Sequence, residues 1–380
     1  MSLNKAGRAD RRSPPVSGGT AGVACSLEDL GEDEFQGRLL DGVSRTFALT
    51  IPCLPPNLAR PVSNAYLLCR IVDTIEDEVS LTSGAKRGFC QRFARVVAGH
   101  EDADRLTADL APLLSCNTLA AEHELIACLP RVIGITHRFD QEQREALATC
   151  VETMARGMAE FQDRDLRCGL ANLTEMGDYC YYVAGVVGEM LTKLFCLYSP
   201  EIAVHRLEML KLAVSFGQGL QMTNILKDLW DDHARGVCWL PRDLFAEQGF
   251  DLCALRPGGT DEAFRAGFRQ LIGVAHGHLK NALTYTLLIP SRETGIREFC
   301  LWALGMAVLT LRKINSHADF ARTDEVKISR RAVKTTIAVS RLARRRDAWL
   351  RSLFYVAGIG LPRHRVAITV QSSCIHTSET

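Results

Sequence analysis

Apolar residues recur at helical spacing through nearly all of this chain, and period-two alternation between turn signals is almost absent. A chain patterned in this way has one route to a core, which is to pack helices on helices. The spacing predicts helices over 61–78, 141–161, 175–197, 206–230, 262–288, 295–314 and 329–355, with Ser26 as a candidate N-cap ahead of Leu27, Glu28 and Asp29. Segments 179–197 and 299–311 are apolar on most faces, which places them at the centre of a large bundle. The breaks at 52–56, Pro241 and 257–259 are too short to separate domains. The expected organisation is a disordered tail over 1–25, one all-α domain over 26–361 and a loose tail over 362–380.

Charge and cysteine usage narrow the function classes. A formal net charge of +1 gives no reason to expect a nucleic-acid partner. The 14 cysteines are scattered without CxxC pairs or Cys/His ligand spacing, so reduced, mostly buried thiols in a cytoplasmic protein are expected, and no zinc site. The first 25 residues carry no apolar core of a signal peptide. No stretch of about 18 uncharged apolar residues occurs, so no transmembrane helix is expected.

Two acidic clusters stand out against this apolar pattern. The first is Asp73-Thr74-Ile75-Glu76-Asp77-Glu78, at the end of an otherwise apolar helix. Asp73 and Asp77 are four residues apart, so they share one helical face about 6 Å apart along the axis. The second is Asn224-Ile225-Leu226-Lys227-Asp228-Leu229-Trp230-Asp231-Asp232, in which Asn224, Asp228 and Asp232 again fall on one face. Like charges at this spacing repel, and acids at a helix C-terminus oppose its dipole. One such cluster alone is as well read as solvated surface. Two with matching spacing on two apolar helices point to hard divalent cations, Mg²⁺ above all, shared with a diphosphate.

These clusters, with Ser44-Arg45-Thr46-Phe47 upstream and Tyr179-Cys180-Tyr181-Tyr182-Val183-Ala184-Gly185-Val186-Val187-Gly188 between them, resemble the squalene/phytoene synthase family in motif order and separation over about 43–337. The resemblance implies an all-α single bundle of the isoprenoid synthase type with a central cavity. It implies head-to-head (1'-1) condensation of two prenyl diphosphates with Mg²⁺. By position it implies metal ligation by Asp73, Glu76 and Asp77 and by Asn224, Asp228, Asp231 and Asp232. It implies diphosphate binding by Arg45 and Arg70, whose forked donors suit phosphate, and a catalytic role for Tyr179. Ser44, Phe47, Tyr66, Val183, Ala184, Gly188 and Gln221 match substrate-binding positions. Each has a plainer reading: a tyrosine in an apolar helix is ordinarily core, and Gly185 and Gly188 can serve close helix packing. Two positions depart from the family pattern, where arginines are common: Lys227, just before Asp228, and Val237, five residues after Asp232. Arg235 is expected to supply the missing contact.

Segment 298–311 and Glu325-Val326-Lys327-Ile328 look more like squalene than phytoene synthases. That resemblance implies squalene formation from two farnesyl diphosphates via presqualene diphosphate, with NADPH as reductant and Lys327 and Arg330 as candidates for its phosphates. A basic surface turn is the alternative for those two residues. Without a GxGxxG fingerprint, NADPH binding would be of a non-Rossmann kind. Phytoene or dehydrosqualene formation, and a non-catalytic lipid-binding protein on the same scaffold, stay open. Finally, Arg341, Arg344, Arg345 and Arg346 precede Trp349, Leu350, Leu353, Phe354 and Tyr355. This pattern suits either a final helix docked on the core or a peripheral contact at the inner membrane surface.

Overall fold

The computed structural model describes residues 27–44 and 46–366, apart from the Glu28 side chain; the expected tail 1–25, Ser26, Arg45 and most of the expected C-terminal tail lie outside the described residues. Among the described residues there are helices and no strand; the one β-bridge joins Leu170 to Pro241. The helices that position the site are α1 (Glu32–Val43), α2 (Phe47–Thr50), α3 (Pro56–Asp77), α4 (Ser83–Val97), α5 (Ala120–Ala127), α6 (Leu129–Thr136), α7 (Gln141–Phe161), α8 (Leu173–Cys180) and α9 (Val186–Tyr198). They continue with α10 (Arg206–Lys227), α11 (Leu229–Ala234), α12 (Glu262–Leu288), α13 (Thr294–Ser316), α14 (Arg330–Ala343) and α15 (Asp347–Ala357).

Several starts follow directly from side-chain caps. Asp140 accepts from Gln143 N at 2.8 Å, Asn172 from Glu175 N at 2.9 Å, Asp261 from Phe264 N at 2.8 Å and Ser329 from Ala332 N at 3.1 Å. The helices α7 and α12 begin and end where the spacing predicts.

Three expected long helices are interrupted. The run over 175–197 divides into α8, a π turn (Tyr181–Gly185) and α9. The run over 206–230 breaks at Asp228, between α10 and α11. The run over 329–355 breaks between α14 and α15, where buried Arg297 donates to the Arg344 carbonyl at 2.9 Å and pairs with Asp347 at 2.7 Å. At the π turn the apolar run continues through the break, and at Asp228 the helical spacing runs across it, so periodicity alone could not place either; the third break falls in the charged run Arg344-Arg345-Arg346-Asp347.

Close packing at small residues sets the centre. A Cβ on Gly188 would lie 2.5 Å from the Ala213 carbonyl oxygen, which brings α9 against α10. A Cβ on Gly219 would lie 3.0 Å from His278 Cβ, which brings α10 against α12. Buried polar groups are paired across these contacts: Ser215 Oγ with His278 Nδ1 at 2.8 Å, and Thr192 Oγ1 with Tyr285 OH at 2.9 Å. Asn64 ties α3 to its neighbours, accepting from Gln36 Nε2 on α1 at 3.0 Å and donating to Thr136 Oγ1 on α6 at 2.6 Å.

By length and composition, the stretch Leu173–Tyr198 and the helix Thr294–Ser316 could each cross a membrane, although no such span was expected. In this fold 56% and 67% of their most apolar windows are buried, so that apolar character serves the core.

The expectation of reduced thiols fails at one pair. Cys168 and Cys253, 85 residues apart, form a disulfide. Chain pairing brings them together: Cys238 N bonds Leu166 O at 2.9 Å and Leu170 N bonds Leu240 O at 2.9 Å. A separation of that length is invisible to local spacing. Cys53, Cys69, Cys90, Cys116, Cys150, Cys180, Cys196, Cys238 and Cys300 are free thiols.

Candidate active site

The apolar end of the site is built where α2, α3, α9 and α13 meet. Ser44 Oγ accepts from Phe47 N at 3.0 Å, which starts α2 and sets Phe47 5.0 Å from the Tyr66 ring and 6.3 Å from Phe299. Together with Val62, Cys69, Met190 and Leu191 these rings line an apolar cavity. One turn beyond Cys69 on α3 the chemistry changes to carboxylate.

Asp73 is buried at the next turn, 4.0 Å from Arg70 Nη1. Burial lifts its carboxyl to about 6; Arg70 opposes the shift and Asp77 adds to it. Burial also lifts Glu76 to about 7, helped by Asp77 and opposed by Lys86. Glu78 is a structural acid instead. Burial alone would raise it, but donors from Thr118 Oγ1 (2.6 Å), Ser80 N and Ser115 N (both 2.9 Å) bring it to about 2. Arg70 is only 3% exposed, and its other arm is bound to Glu122 on α5, so its charge is already spent within the protein.

The second cluster faces the first. The carboxyl of Asp232 is lifted to about 6 by burial, opposed by its ion pair with Arg235, and lifted further by Asp228 and by Asp77 from the other cluster. Burial also raises Asp228, against Lys227 at 3.2 Å. Lys227 Nζ in addition donates to Asn224 Oδ1 at 3.1 Å. Asp231 is exposed. The break at Asp228 does not scatter these residues, because Asp228 N bonds Asn224 O at 2.8 Å and Asp232 N bonds Asp228 O at 2.9 Å. One turn earlier, Gln221 Oε1 is buried without a hydrogen-bond partner. Among the described residues no three His, Cys, Asp or Glu side chains group closely enough to hold a metal by themselves.

Tyr179 stands between the clusters. Burial pushes its phenol well above the usual range, and Glu76, Asp232 and Asp77 push it further, so the hydroxyl stays protonated at neutral pH. Its ring stacks on Trp239 at 3.7 Å and 11°, with Phe161 edge-on at 5.3 Å.

The squalene/phytoene synthase family model matches residues 40–332. This chain belongs to the squalene/phytoene synthase family. That family is one of prenyltransferase-type enzymes, with the all-α fold described above. Among its relatives are squalene synthases of Eremothecium gossypii, 28% identical over 77% of this chain, and of Gibberella zeae, 31% identical over 77% of it. The chain spans 64% and 61% of those two proteins' own lengths. A solved structure of TcSQS with the ligand BPH1237 aligns at a TM-score of 0.69 and 23% identity, covering 88% of this chain and 94% of that one. A dehydrosqualene synthase in complex with a ligand aligns at 0.56 and 18% identity, covering 86% and 97%. At these identities the two structures speak for the fold.

Within this member of the family, the expected residues divide by place. Phe47 and Tyr66 line the apolar cavity, and Val183 and Ala184 are buried in the π turn. Gly188 meets α10 rather than the cavity. Lys327 lies within electrostatic reach of Asp228 and pairs with Asp324 at 2.5 Å, whereas Arg330 is exposed at the start of α14. Arg45 lies outside the described residues. Trp239 was not anticipated; its signal in the sequence is only a tryptophan seven residues after Asp232, too weak to read without the stacking.

The raised carboxyls give a pH dependence of fixed sign. Asp73, Glu76 and Asp232 bind protons more tightly folded than unfolded, so their contribution to stability is fully present below about pH 4 and is lost as pH rises through about 6 to 7. Glu78, lowered to about 2, is ionised throughout that upper window. In EDTA, the melting temperature of the chain is expected to rise as pH falls from 8 to 6. Half-buried His276 and buried His278, whose pKa values are lowered, oppose this rise, so differential scanning calorimetry across that window is run beside H278N, and a profile that stays flat or falls in that variant contradicts the burial of these acids.

Proposed function

We propose that this chain is a Mg²⁺-dependent enzyme that joins two farnesyl diphosphates head to head, through presqualene diphosphate, and forms squalene with NADPH as reductant. The observation that carries this reading is the pair of facing carboxylate clusters with protonated Tyr179 between them, one helical turn from an apolar cavity.

The donor set suits a hard cation. It consists of carboxylate and amide oxygens, and it includes the orphaned, buried Gln221 Oε1. Mg²⁺ keeps water and phosphate among its ligands, so one or two carboxylates per ion suffice and a preformed cage is not required. Asp73, Glu76 and Asp77 on α3, with Asn224, Asp228 and Asp232 across the site, would hold it; Asp231, exposed, is the weaker candidate. When bound, Mg²⁺ supplies charge neutralisation that makes diphosphate a better leaving group.

The chain's own residues do the rest. Arg235 and Lys227, now paired with Asp232 and Asp228, are the cations placed to turn toward diphosphate oxygens. Arg70 holds Asp73 in place from within the protein. The rings of Tyr179, Trp239 and Phe161 offer π faces beside which an allylic cation is stabilised. The Tyr179 hydroxyl, held by that stacking, can relay a proton, accepting one as it gives up its own to a neighbouring carboxylate or a diphosphate oxygen. The apolar cavity along Phe47, Tyr66 and Phe299 suits a prenyl chain. Lys327 and Arg330 are cationic and suit the phosphates of NADPH, which would supply the hydride.

Product analysis tests the reading: the purified chain with farnesyl diphosphate and Mg²⁺, with and without NADPH, followed by hydrocarbon extraction. Squalene that needs NADPH supports it. Dehydrosqualene in either case, or phytoene from geranylgeranyl diphosphate alone, replaces it with the unreduced branch. Absence of any Mg²⁺-dependent turnover leaves the lipid-binding reading. In the same assay Arg235→Ala is expected to raise KM for farnesyl diphosphate about tenfold, the loss of one charge-assisted phosphate contact; an unchanged KM removes Arg235 from the substrate site.

A further inference from the structure

The helix α15 carries two apolar stripes, and the fold uses one. Leu350, Phe354 and Ala357, at i, i+4 and i+7, face inward: Leu350 is buried and Phe354 stacks on His276 at 5.6 Å. About 100° round the helix lies a second stripe, Trp349, Leu353 and Val356, again at i, i+4 and i+7. These side chains are exposed, at 52%, 37% and 56%. Ile359 (56%) lies just past the end of the helix, Tyr355 (62%) is exposed about 120° further round it, and Leu342 (78%) stands exposed near the end of α14. A helix lying on a protein core needs one apolar stripe, so the second has no function within the described fold.

The charge around this stripe has a single sign. Asp347 is the one acid in 341–366, and Arg297 already holds it at 2.7 Å. Arg341 and Arg344 are taken by Glu298. Among the described residues Arg345, Arg346, Arg351, Arg363 and Arg365 form no ion pair, and all five are exposed. Two of them frame the aromatic residues: Arg346 lies over the Trp349 ring at 4.7 Å and Arg363 over Tyr355 at 5.9 Å.

We propose that this face of α15 docks on an anionic lipid surface, with Trp349, Leu353, Val356 and Ile359 entering the interface and the free arginines meeting lipid phosphates. Charge complementarity selects this occupant: an apolar stripe flanked at the start of α15 by unpaired Arg345 and Arg346 matches acyl chains beneath anionic headgroups. A second copy of the chain would set the same unpaired arginines against one another. The proposal does not depend on the catalytic reading, since binding is measured without substrate.

The test is flotation of the full chain with vesicles of phosphatidylcholine, with and without 30% phosphatidylglycerol (a composition of about one anionic lipid in three). The chain is expected to float with the anionic vesicles and to stay behind with neutral ones or in high salt. R345Q/R346Q should lower the partition coefficient by more than about tenfold, and W349S/V356S should lower it by at least about tenfold. All four positions are exposed, so circular dichroism and melting temperature should match those of the parent; a variant that fails this check is replaced by W349S alone. Absence of binding by the intact chain, or undiminished binding by both folded variants, overturns the proposal. A dimer that W349S/V356S converts to monomer, without lipid binding, assigns the face to a second copy and overturns it equally.

Discussion

Replacing Asp73 by asparagine is expected to move activity and stability in opposite directions. Under the proposed function, turnover falls by about three orders of magnitude, since a metal-held diphosphate loses on the order of 4 kcal/mol of transition-state stabilisation with a carboxylate ligand. The melting temperature of the metal-free chain rises by a few degrees, because a buried carboxylate whose pKa stands at about 6 is destabilised as an anion at pH 7.5. Asparagine keeps the shape and removes the charge. Arg70 loses a partner 4.0 Å away but keeps Glu122. The rise on acidification from pH 8 to 6 should shrink in the same variant. Steady-state kinetics and calorimetry on one preparation read both effects. Loss of both activity and stability would make Asp73 a structural acid like Glu78; retention of activity would remove it from the metal site.

Gly217→Ala is expected to be one of the most damaging single methyl additions among the described glycines. A Cβ at that position would lie 2.4 Å from the Ala184 carbonyl oxygen, 2.5 Å from its carbon and 2.7 Å from Gly185 N. All three are backbone atoms of the π turn, so no side chain can rotate away. Either α10 retreats or the π turn relaxes, and both displace Tyr179 and the second acid cluster. The expected cost is about 3 kcal/mol or more, a fall in melting temperature of at least several degrees, with turnover lost even where the variant folds. Gly84→Ala, a helical position where a Cβ meets nothing within 4 Å, is the control and should leave turnover unchanged and the melting temperature unchanged or slightly raised. Equal behaviour of the two variants would mean that the π turn is not held by α10.

The π turn also shows why some of this site escaped the sequence. Composition through 179–188 is apolar and aromatic throughout, and nothing in it announces a wider turn at Tyr181–Gly185. That turn fits its neighbours: a Cβ on Gly157 would strike the Tyr182 ring, and one on Gly217 would strike Ala184. The break at Asp228 is similar, hidden because the helical spacing of Asn224, Asp228 and Asp232 runs straight across it. The role of Arg70 illustrates a different limit. Its spacing from Asp73 was legible, but Glu122, 52 residues on, claims the other half of its guanidinium.

Local periodicity and caps therefore account for the all-helical class, for α7 and α12 to the residue, and for which two segments carry carboxylates on one face. These features depend on neighbours within a turn or two, where side-chain spacing and hydrogen bonding are fixed by the helix itself. The stacking of Trp239 on Tyr179, the approach of Asp77 to Asp232, the Cys168–Cys253 bridge and the exposure of the second stripe on α15 were settled only by how the helices meet. Each depends on a contact between distant segments, set by the volume and shape of everything packed between them, and no local pattern carries that information.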